Sequence, residues 1–232
     1  EIEDIDNFTA RKMTGAMIYS PSGNKFELGA EMAGDEVGIV VERDIFDKEM
    51  AVLAGKEGAD FMVKTSVTDV IKEDGKVVGV KAERMSKEFK VHADIVVGAD
   101  GFESQVGRWA GMYGSVNPKD IMTCFQYRMT SIDIDPDYTH FYMGSCAPGG
   151  YLWIFPKDVD TANVGIGVQA SRLDGSKSPK DYLDEFIEDH DELLQGQCVD
   201  MVAGAVEVSS PMEKTVMDGF MLAGDAARVV DP

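Results

Sequence analysis

The sequence predicts an α/β domain into which a mainly antiparallel sheet is inserted. Two short apolar segments, residues 95–97 and 220–223, each run into a glycine and an aspartate, as strands of an open α/β sheet do at their carboxyl ends. Between them, polar and apolar residues alternate, which is the pattern of antiparallel strands. We therefore expect residues 1–116 and 218–232 to form one domain and residues 117–217 to form the inserted one.

A helix is predicted near the start of the chain, with short strands around it. It would begin at Asp44 as its N-cap and reach about Gly58, with Phe46, Met50 and Leu53 on one face. The strands predicted before and after it are residues 16–19, 38–41, 67–71, 77–80 and 89–92.

Two local signals in this region are specific. Asp74-Gly75 separates residues 67–71 from residues 77–80, and this dipeptide favours the two-residue turn of a hairpin. Residues 95–97 are wholly apolar, which predicts a strand that is buried on both faces, as in a parallel sheet.

The inserted segment begins with a strand whose side chains alternate between two faces. One predicted face holds Met122, Cys124, Gln126 and Arg128, and the other holds Thr123, Phe125, Tyr127 and Met129. Further strands are predicted at residues 138–143, 151–155 and 163–169. A helix follows, capped by Ser178, opened by Pro179 and closed by Gly196. Its predicted apolar face is Tyr182, Leu183, Phe186, Ile187, Leu193 and Leu194.

Composition excludes several classes of partner. The formal net charge of −20 over 232 residues opposes binding to nucleic acid and electrostatic docking on anionic membranes. No apolar run is long enough to span a bilayer, and the acidic start is unlike a signal peptide. Three scattered cysteines indicate neither disulfides nor a metal site. We therefore expect a cytoplasmic protein without a metal, and contact with a membrane surface is left open.

The two glycine–aspartate segments are the first candidate site. They are residues 98–101, which contain Asp100 and Gly101, and residues 224–227, which contain Gly224, Asp225 and Ala226. The carboxyl edge of an open α/β sheet is where ligands bind, glycines let a phosphate or polyol approach the backbone, and aspartate accepts hydrogen bonds from hydroxyls. Each segment alone also fits an ordinary turn.

The pair, about 125 residues apart around an antiparallel insertion, resembles a large flavoprotein group that includes aromatic hydroxylases and geranylgeranyl reductases. The resemblance implies a Rossmann-like FAD-binding domain of the aromatic-hydroxylase type. In that group the first segment closes around the pyrophosphate and ribose of FAD, which here implies Asp100 and Gly101. The second holds the ribityl chain, which implies Gly224, Asp225 and Ala226, and Asp231-Pro232 would begin the loop over the flavin ring.

Two further positions match the same group. Arg43 resembles the arginine that precedes a Phe-Asp pair and reaches the cofactor, and guanidinium can bind phosphate or polyol oxygens. Its alternative is a solvated surface arginine. Val67 resembles the strand residue whose backbone pairs with the adenine edge.

The insertion resembles the geranylgeranyl reductase family in particular. Its signature is a YxWxFP segment followed eight residues later by GxG, and this sequence has every defined position: Tyr151, Trp153, Phe155, Pro156, Gly165 and Gly167. The three aromatic residues alternate along one strand and so form an aromatic wall. Glycines on a paired strand would leave open space opposite that wall, which suits an isoprenoid chain. The simpler reading is an aromatic core strand.

The resemblance implies an FAD-dependent reductase. An external donor would reduce the flavin, which passes a hydride to a double bond of a geranylgeranyl chain, carried on diphosphate or on a digeranylgeranylglycerophospholipid. No catalytic residue is assigned, because His140 and Tyr142 are candidate proton donors by strand position alone. The alternatives are a flavin-dependent monooxygenase or halogenase, since the same FAD elements serve them, and a lipid-binding domain without a cofactor.

One departure from the family is expected to matter. The family begins with a GxGxxG segment that cradles the pyrophosphate, and this chain contains none. The sequence also ends at Pro232, where further segments are expected. We therefore interpret the chain as an internal piece of a longer protein and predict that it binds FAD poorly by itself.

Overall fold

A computed structural model describes residues 5–29 and 38–230 of the chain. The strands are β1 Thr9–Met13, β2 Gly15–Tyr19, β3 Lys25–Gly29, β4 Gly38–Val41, β5 Thr65–Glu73, β6 Lys76–Arg84, β7 Lys87–His92, β8 Val96–Gly98, β9 Ile121–Thr130, β10 Tyr138–Met143, β11 Tyr151–Pro156, β12 Thr161–Gln169, β13 Gln197–Glu207, β14 Val216–Met217 and β15 Phe220–Leu222. The helices are α1 Arg43–Lys56, α2 Gln105–Ala110, α3 Pro179–Glu188 and α4 Asp191–Leu194. This mixture of α/β and antiparallel structure confirms the predicted fold class.

The chain forms two compact units. Unit 1 contains residues 1–59 and 122–204, and unit 2 contains residues 60–121 and 205–232. This division differs from the expected boundaries at 116 and 217. The reason is that β2 pairs with β10 over Gly15↔Tyr138 to Tyr19↔Tyr142, so the start of the chain adds strands to the inserted sheet instead of to the first domain.

Unit 1 is built on a seven-stranded sheet in the order β13-β9-β12-β11-β10-β2-β3. The strands predicted at residues 16–19, 138–143, 151–155 and 163–169 are all present, and β13 is an addition that the sequence pattern did not predict. β2 and β10 run parallel, whereas β10, β11, β12 and β9 pair antiparallel in that order. The register fixes the two faces of β9 as predicted, since Gln126 lies opposite Gly165 and Tyr127 opposite Val164.

Helix α3 packs on one face of this sheet. Leu183 of the helix and Leu152, Ile154 and Ile166 of the sheet are fully buried in one apolar cluster. Ser178 and Asp181 form a capping box at the start of α3, as the Ser-Pro signal predicted.

The end of this helical region differs from the prediction in two respects. The helix does not run to Gly196 but ends at Glu188, and a separate short helix, α4, follows. Leu193 is buried, but Leu194 is 45% exposed and so lies off the predicted apolar face.

Helix α1 confirms the predicted helix but not its predicted cap. Glu42, not Asp44, occupies the N-cap position, and its side chain makes no capping bond to the helix. β4, which leads into α1, pairs antiparallel with β1. None of the residues of α1 is buried, and Met50 of the predicted apolar face is 40% exposed.

Unit 2 contains two three-stranded sheets. One has the order β5-β6-β7, and its first hairpin turns at Asp74 and Gly75, both at positive φ, as the sequence predicted. The other has the order β14-β15-β8 and packs on an apolar cluster that includes Phe220 and Leu222.

The expected burial of residues 95–97 on both faces is wrong. Ile95 is 57% exposed and Val97 is 54% exposed, while Val96 packs on the apolar cluster. Within the residues that the structure describes, this cluster covers one side of the three-stranded sheet, and an uninterrupted apolar run does not reveal that the second side is open.

Candidate functional site

The two predicted glycine–aspartate segments lie side by side in unit 2. β8 and β15 are parallel neighbours, with Leu222 opposite Gly98, and the N–H of Ala223 donates to the carbonyl of Gly98 at 2.9 Å. Both strands therefore end at the same edge of the sheet. This geometry brings Asp100 and Gly101 next to Gly224 and Asp225, as the shared design of the two segments suggested.

The backbone at this edge has room for a ligand. Gly101 has φ +87° and Gly224 has φ +60°, and a Cβ added at either position would meet nothing within 4 Å. Ala226 is fully buried and anchors the second segment in the core of unit 2. Two open glycines at adjacent strand ends fit the close approach of a phosphate or polyol, which is what an FAD would present here.

The two aspartates have different surroundings. Both carboxylate oxygens of Asp100 accept hydrogen bonds from its own chain, one from the hydroxyl of Ser104 at 2.8 Å and one from the N–H of Val106 at 2.9 Å. Asp100 therefore holds the turn into α2 in place. Asp225 and Asp100 are both exposed, so both carboxylates can reach solvent at this edge.

A buried carboxylate supports the second segment. Glu207 is 1% exposed and accepts hydrogen bonds from the hydroxyls of Tyr113 at 2.6 Å and Ser209 at 2.8 Å. Its other contact is an ion pair with Arg228, at 3.0 Å to Nε. Arg228 has φ +58° and closes the 3-10 turn formed by residues 224–227. Burial and the bond to Glu207 raise the pKa of Tyr113 to about 12.

Arg43 and Val67 belong to other elements than these two segments. Arg43 belongs to unit 1, where its exposed guanidinium pairs with Asp47 one helical turn later. Val67 lies on β5 in unit 2, beside an irregularity in the pairing between Val67 and Asp69, and its side chain is 38% exposed. Their roles toward a cofactor stay predictions. Asp231-Pro232 lie outside the described residues.

The predicted aromatic wall is present on β11 in unit 1. Tyr151 and Trp153 have ring centroids 5.9 Å apart, and Trp153 and Phe155 are stacked at 6.1 Å. Phe141 of β10 joins them, 5.7 Å from Tyr151 and 5.6 Å from Phe155. The four rings are partly exposed, whereas Leu152, which points the opposite way, is fully buried. The rings are therefore only partly buried on one face of the sheet, and their role toward a substrate stays a prediction.

The expectation of open space over the paired glycines is wrong at Gly165. A Cβ at that position would lie 2.7 Å from Nε1 of Trp153 and closer still to two ring carbons, so the indole itself occupies the space. Nε1 donates to Oε1 of Gln126 on β9 at 2.9 Å, which fixes the ring across β12. At Gly167 a Cβ would make ordinary contacts, the nearest at 3.6 Å to Sγ of Cys124. Pro156 ends the strand and is fully buried.

Two ionisable groups on the face of the wall have raised pKa values. Burial raises the pKa of Tyr151, and burial also raises the pKa of the Cys124 thiol on the same face. Both groups are therefore protonated at neutral pH.

A charged cluster lies at one end of this wall. Oε2 of Glu42 contacts Nη2 of Arg128 at 2.7 Å and Nζ of Lys157 at 2.6 Å. The side chain of Lys157 is 6% exposed and that of Glu42 is 23% exposed. Burial by itself would raise the pKa of Glu42, but hydrogen bonds from Lys157 and Arg128 outweigh it and lower that pKa.

His140 and Tyr142 lie on the opposite face of the sheet from the wall. His140 is 4% exposed, with Nε2 2.9 Å from the carbonyl of Asp135, so Nε2 donates and Nδ1 accepts from the hydroxyl of Tyr19 at 3.1 Å. Tyr142 stacks on Tyr19 at 4.2 Å. Both candidates therefore have structural roles on the α3 side, where Tyr142 lines a separate cavity of about 540 Å³.

Several of these residues were missed by the sequence reasoning. Gln126 and Arg128 were predicted to lie on one face of β9, which is also the face that carries the aromatic wall. Two polar residues on that face were the signal that could have marked them as part of a site. Lys157 follows Phe155 by two positions, which places it on the wall face. Glu42 and Glu207 were missed because Arg128 is 86 residues from Glu42 and Tyr113 is 94 residues from Glu207 in the sequence.

The described residues contain neither a metal-binding cluster nor a membrane-spanning helix. No three His, Cys, Asp or Glu side chains among them gather into a cluster able to hold a metal ion. No described helix is both long enough and apolar enough to cross a membrane. The three cysteines are unpaired, and Cys198 is exposed on β13.

Comparison with known proteins gives these sites a family context. Residues 120–206 match the family model described as the geranylgeranyl reductase catalytic domain. Digeranylgeranylglycerophospholipid reductase of Thermoplasma volcanium is 49% identical over 234 residues, covering 100% of this chain and 59% of the relative. The enzyme of the same name from Methanosarcina acetivorans is 49% identical, covering 99% of this chain and 56% of its own length. The chain therefore spans somewhat more than half the length of these curated relatives.

Solved structures agree with this result. A geranylgeranyl bacteriochlorophyll reductase-like protein from Thermoplasma acidophilum superposes with a TM-score of 0.94 at 48% identity, over 100% of this chain and 59% of that one. A flavin-dependent brominase superposes with a TM-score of 0.78 at 23% identity, over 100% of this chain and 60% of its own, and this likeness shows the fold alone. Residues 120–206 therefore resemble the geranylgeranyl reductase catalytic domain, and the chain along its whole length is similar to proteins named digeranylgeranylglycerophospholipid reductase.

Proposed function

We propose that the protein containing this chain is an FAD-dependent reductase that hydrogenates double bonds of geranylgeranyl chains on a membrane phospholipid or its precursor. The observation that carries the proposal is the aromatic wall, a partly exposed row of rings inside the segment that matches the geranylgeranyl reductase catalytic domain. The relatives described above carry the name digeranylgeranylglycerophospholipid reductase.

The wall suits a long hydrocarbon chain for a physical reason. An isoprenoid offers no polar handle along its length, so its affinity must come from the burial of apolar surface and from shape. Tyr151, Trp153 and Phe155 lie within five residues of an extended strand, and the four steps from the first to the last span about 13 Å at the usual rise per residue. Trp153 is held by Gln126 and by its contact with Gly165, so this surface is preorganised.

The proposed cofactor residues are those at the strand ends of unit 2. Gly101, Gly224 and Asp225 would hold the pyrophosphate, ribose and ribityl groups of FAD, with Asp100 shaping the turn and Ala226 anchoring it. A bound reduced flavin supplies the hydride. The protein's residues bind and orient the isoprenoid chain and exclude water from it. The external electron donor is unidentified, and contact with a membrane surface stays a prediction.

The alternative function, a flavin-dependent monooxygenase or halogenase, has support from the fold alone. The solved halogenase structures share the fold at 13–23% identity. No feature of the wall favours halogenation over alkene reduction.

The product of the reaction tests the proposal. We would incubate the full-length protein anaerobically with a digeranylgeranyl phospholipid and a chemical reductant, and then measure the mass of the lipid by mass spectrometry. The proposal predicts that two hydrogen atoms are gained for each double bond reduced. A lipid that is unchanged in mass, or one that gains oxygen after air is admitted, would contradict it.

A further inference from the structure

The charged cluster at the end of the aromatic wall carries an unbalanced positive charge. Arg128 and Lys157 share the single carboxylate of Glu42, through contacts of 2.7 and 2.6 Å. Two cations and one anion leave a net charge of +1. If Lys157 were absent, the carboxylate of Glu42 would neutralise Arg128. Because the almost fully buried Lys157 also contacts that carboxylate, the positive charge of Arg128 is only partly neutralised.

The cluster lies on the same sheet face as the wall. Arg128 is directly opposite Asn163, and Asn163 is directly opposite Phe155, the last ring of the wall. Lys157 follows Phe155 by two residues, and its N–H donates to the carbonyl of Thr161, which continues the strand pairing. Residues directly opposite one another in a sheet share a face, so the apolar surface ends in a cationic group.

Arg128 has further N–H groups that could donate hydrogen bonds to an anion. A guanidinium carries five N–H donors in a planar fork, and Arg128 gives Nη2 to Glu42 while its side chain stays 38% exposed. Forked N–H groups match the oxygens of a phosphate. The chain as a whole carries a net charge of −20, which repels anions, so a local cation is needed wherever an anionic ligand binds.

We propose that Arg128, kept in charge surplus by Lys157 through Glu42, binds the phosphate group of a phosphorylated isoprenoid lipid whose hydrocarbon chain lies on the aromatic wall. This inference rests on the proposed function, and it adds the residue that recognises the head group: Arg128 would favour a prenyl chain with a phosphate head over an uncharged prenyl alcohol.

The test compares two substrates in matched variants of the full-length protein. We would measure kcat/KM for a geranylgeranyl phospholipid and for geranylgeraniol with the wild type, Arg128→Met, Arg128→Lys and Arg84→Met. Removing Arg128 leaves Glu42 and Lys157 as a neutral pair, so the variant is expected to fold. Arg84 is an exposed residue at the end of β6 in unit 2, and its replacement makes the same change of charge away from the cluster.

We expect Arg128→Met to lower the ratio of the two kcat/KM values about ten- to a hundredfold, the usual effect of losing hydrogen bonds to a charged group. Arg128→Lys should recover part of the preference, and Arg84→Met should leave it unchanged. Flavin content should be the same in all four proteins. An unchanged ratio in Arg128→Met would overturn the proposal. So would a loss of flavin together with both activities, which would assign the cation to the phosphates of the cofactor.

A failure of the proposed function would look different. The wild type would then reduce neither lipid, but the binding of the two lipids could still be compared through the quenching of tryptophan fluorescence. A preference for the phosphorylated lipid that disappears in Arg128→Met would support the phosphate site on its own. Equal binding of both lipids by the wild type would overturn it.

Discussion

Trp153 lies against Gly165 on the neighbouring strand so closely that position 165 has no room for a side chain. The indole covers the glycine and reaches across it to Gln126, to which Nε1 donates at 2.9 Å. Gly165 therefore serves to seat one ring of the wall. At Gly167, the second glycine of the motif, an added Cβ would make only ordinary van der Waals contacts. Substitutions at the two glycines can therefore be compared directly.

Gly165→Ala should displace the indole of Trp153 and break its bond to Gln126. We expect a loss of about 1–3 kcal/mol in the free energy of unfolding, because overpacking forces neighbouring groups to shift. Isoprenoid binding should weaken with it. Gly167→Ala is the matched control and should change stability much less. If denaturant unfolding shows the same loss of stability for both substitutions, the close contact of Trp153 with Gly165 does not have the proposed role.

The two aspartates at the strand ends should respond differently to substitution. Asp100→Asn turns one acceptor into a donor that faces Ser104 or the N–H of Val106, so we expect a loss of stability of about 1–2 kcal/mol. Asp225 is exposed, and Asp225→Asn should stay within about 0.5 kcal/mol of the wild type.

Flavin binding supplies the second readout for this pair. If Asp225 binds a hydroxyl of the cofactor, Asp225→Asn should lower the affinity of the full-length protein for FAD while thermal stability is kept. Wild-type affinity for FAD in Asp225→Asn would remove this residue from the proposed site.

The Glu42 cluster should make unit 1 sensitive to acid. The pKa of Glu42 is lowered in the folded state, so its stabilising effect is present above the unfolded pKa, near 4.3, and is lost as pH falls through the folded value. Glu42→Gln should cost about 1–3 kcal/mol at neutral pH, because it leaves Arg128 and Lys157 without their shared anion. The difference from the wild type should shrink as the pH falls below the unfolded pKa and through the lowered folded pKa. A difference that is constant with pH would contradict this ionic role.

Tyr113 should give the opposite dependence, on the alkaline side. Its folded pKa is raised to about 12, so the proton is held more tightly in the folded state than in the unfolded state. The stability that this provides is complete below about pH 10 and is lost as pH rises toward the folded value. Tyr113→Phe should cost about 1–2 kcal/mol at neutral pH, through the lost bond to buried Glu207, and should flatten the decline above pH 10. Identical alkaline unfolding of both proteins would contradict this assignment.

Much of the fold follows from local patterns in the sequence. Alternation over residues 151–155 correctly predicted both a strand and the face on which its rings lie, because side chains on a strand alternate strictly. The Asp74-Gly75 turn and the capping of α3 by Ser178 were predictable for the same reason, since their geometry depends on a few adjacent residues. Two similar strand ends were also enough to predict that they share one sheet edge.

The remaining features depend on distant parts of the chain. Glu42 meets Arg128 across 86 residues and Glu207 meets Tyr113 across 94, and nothing near either glutamate indicates a partner. The exposure of Val97 depends on which elements cover the sheet, which an apolar run cannot specify. The space above Gly165 was expected to be open, but the indole of Trp153 fills it. The rotamer of Trp153 depends on its hydrogen bond to Gln126 on a third strand, and the sequence does not indicate that contact.

The central claim is that this protein reduces isoprenoid double bonds with electrons from a flavin, and one anaerobic titration tests it most directly. The full-length protein would be bleached with dithionite at its flavin band near 450 nm (about the position for any oxidised flavin), freed of excess reductant and mixed with a digeranylgeranyl phospholipid. The account predicts that the band returns without oxygen, in proportion to the double bonds reduced. A band that returns only when oxygen is admitted would contradict the account and support a monooxygenase or halogenase, and a protein without any flavin band would contradict both.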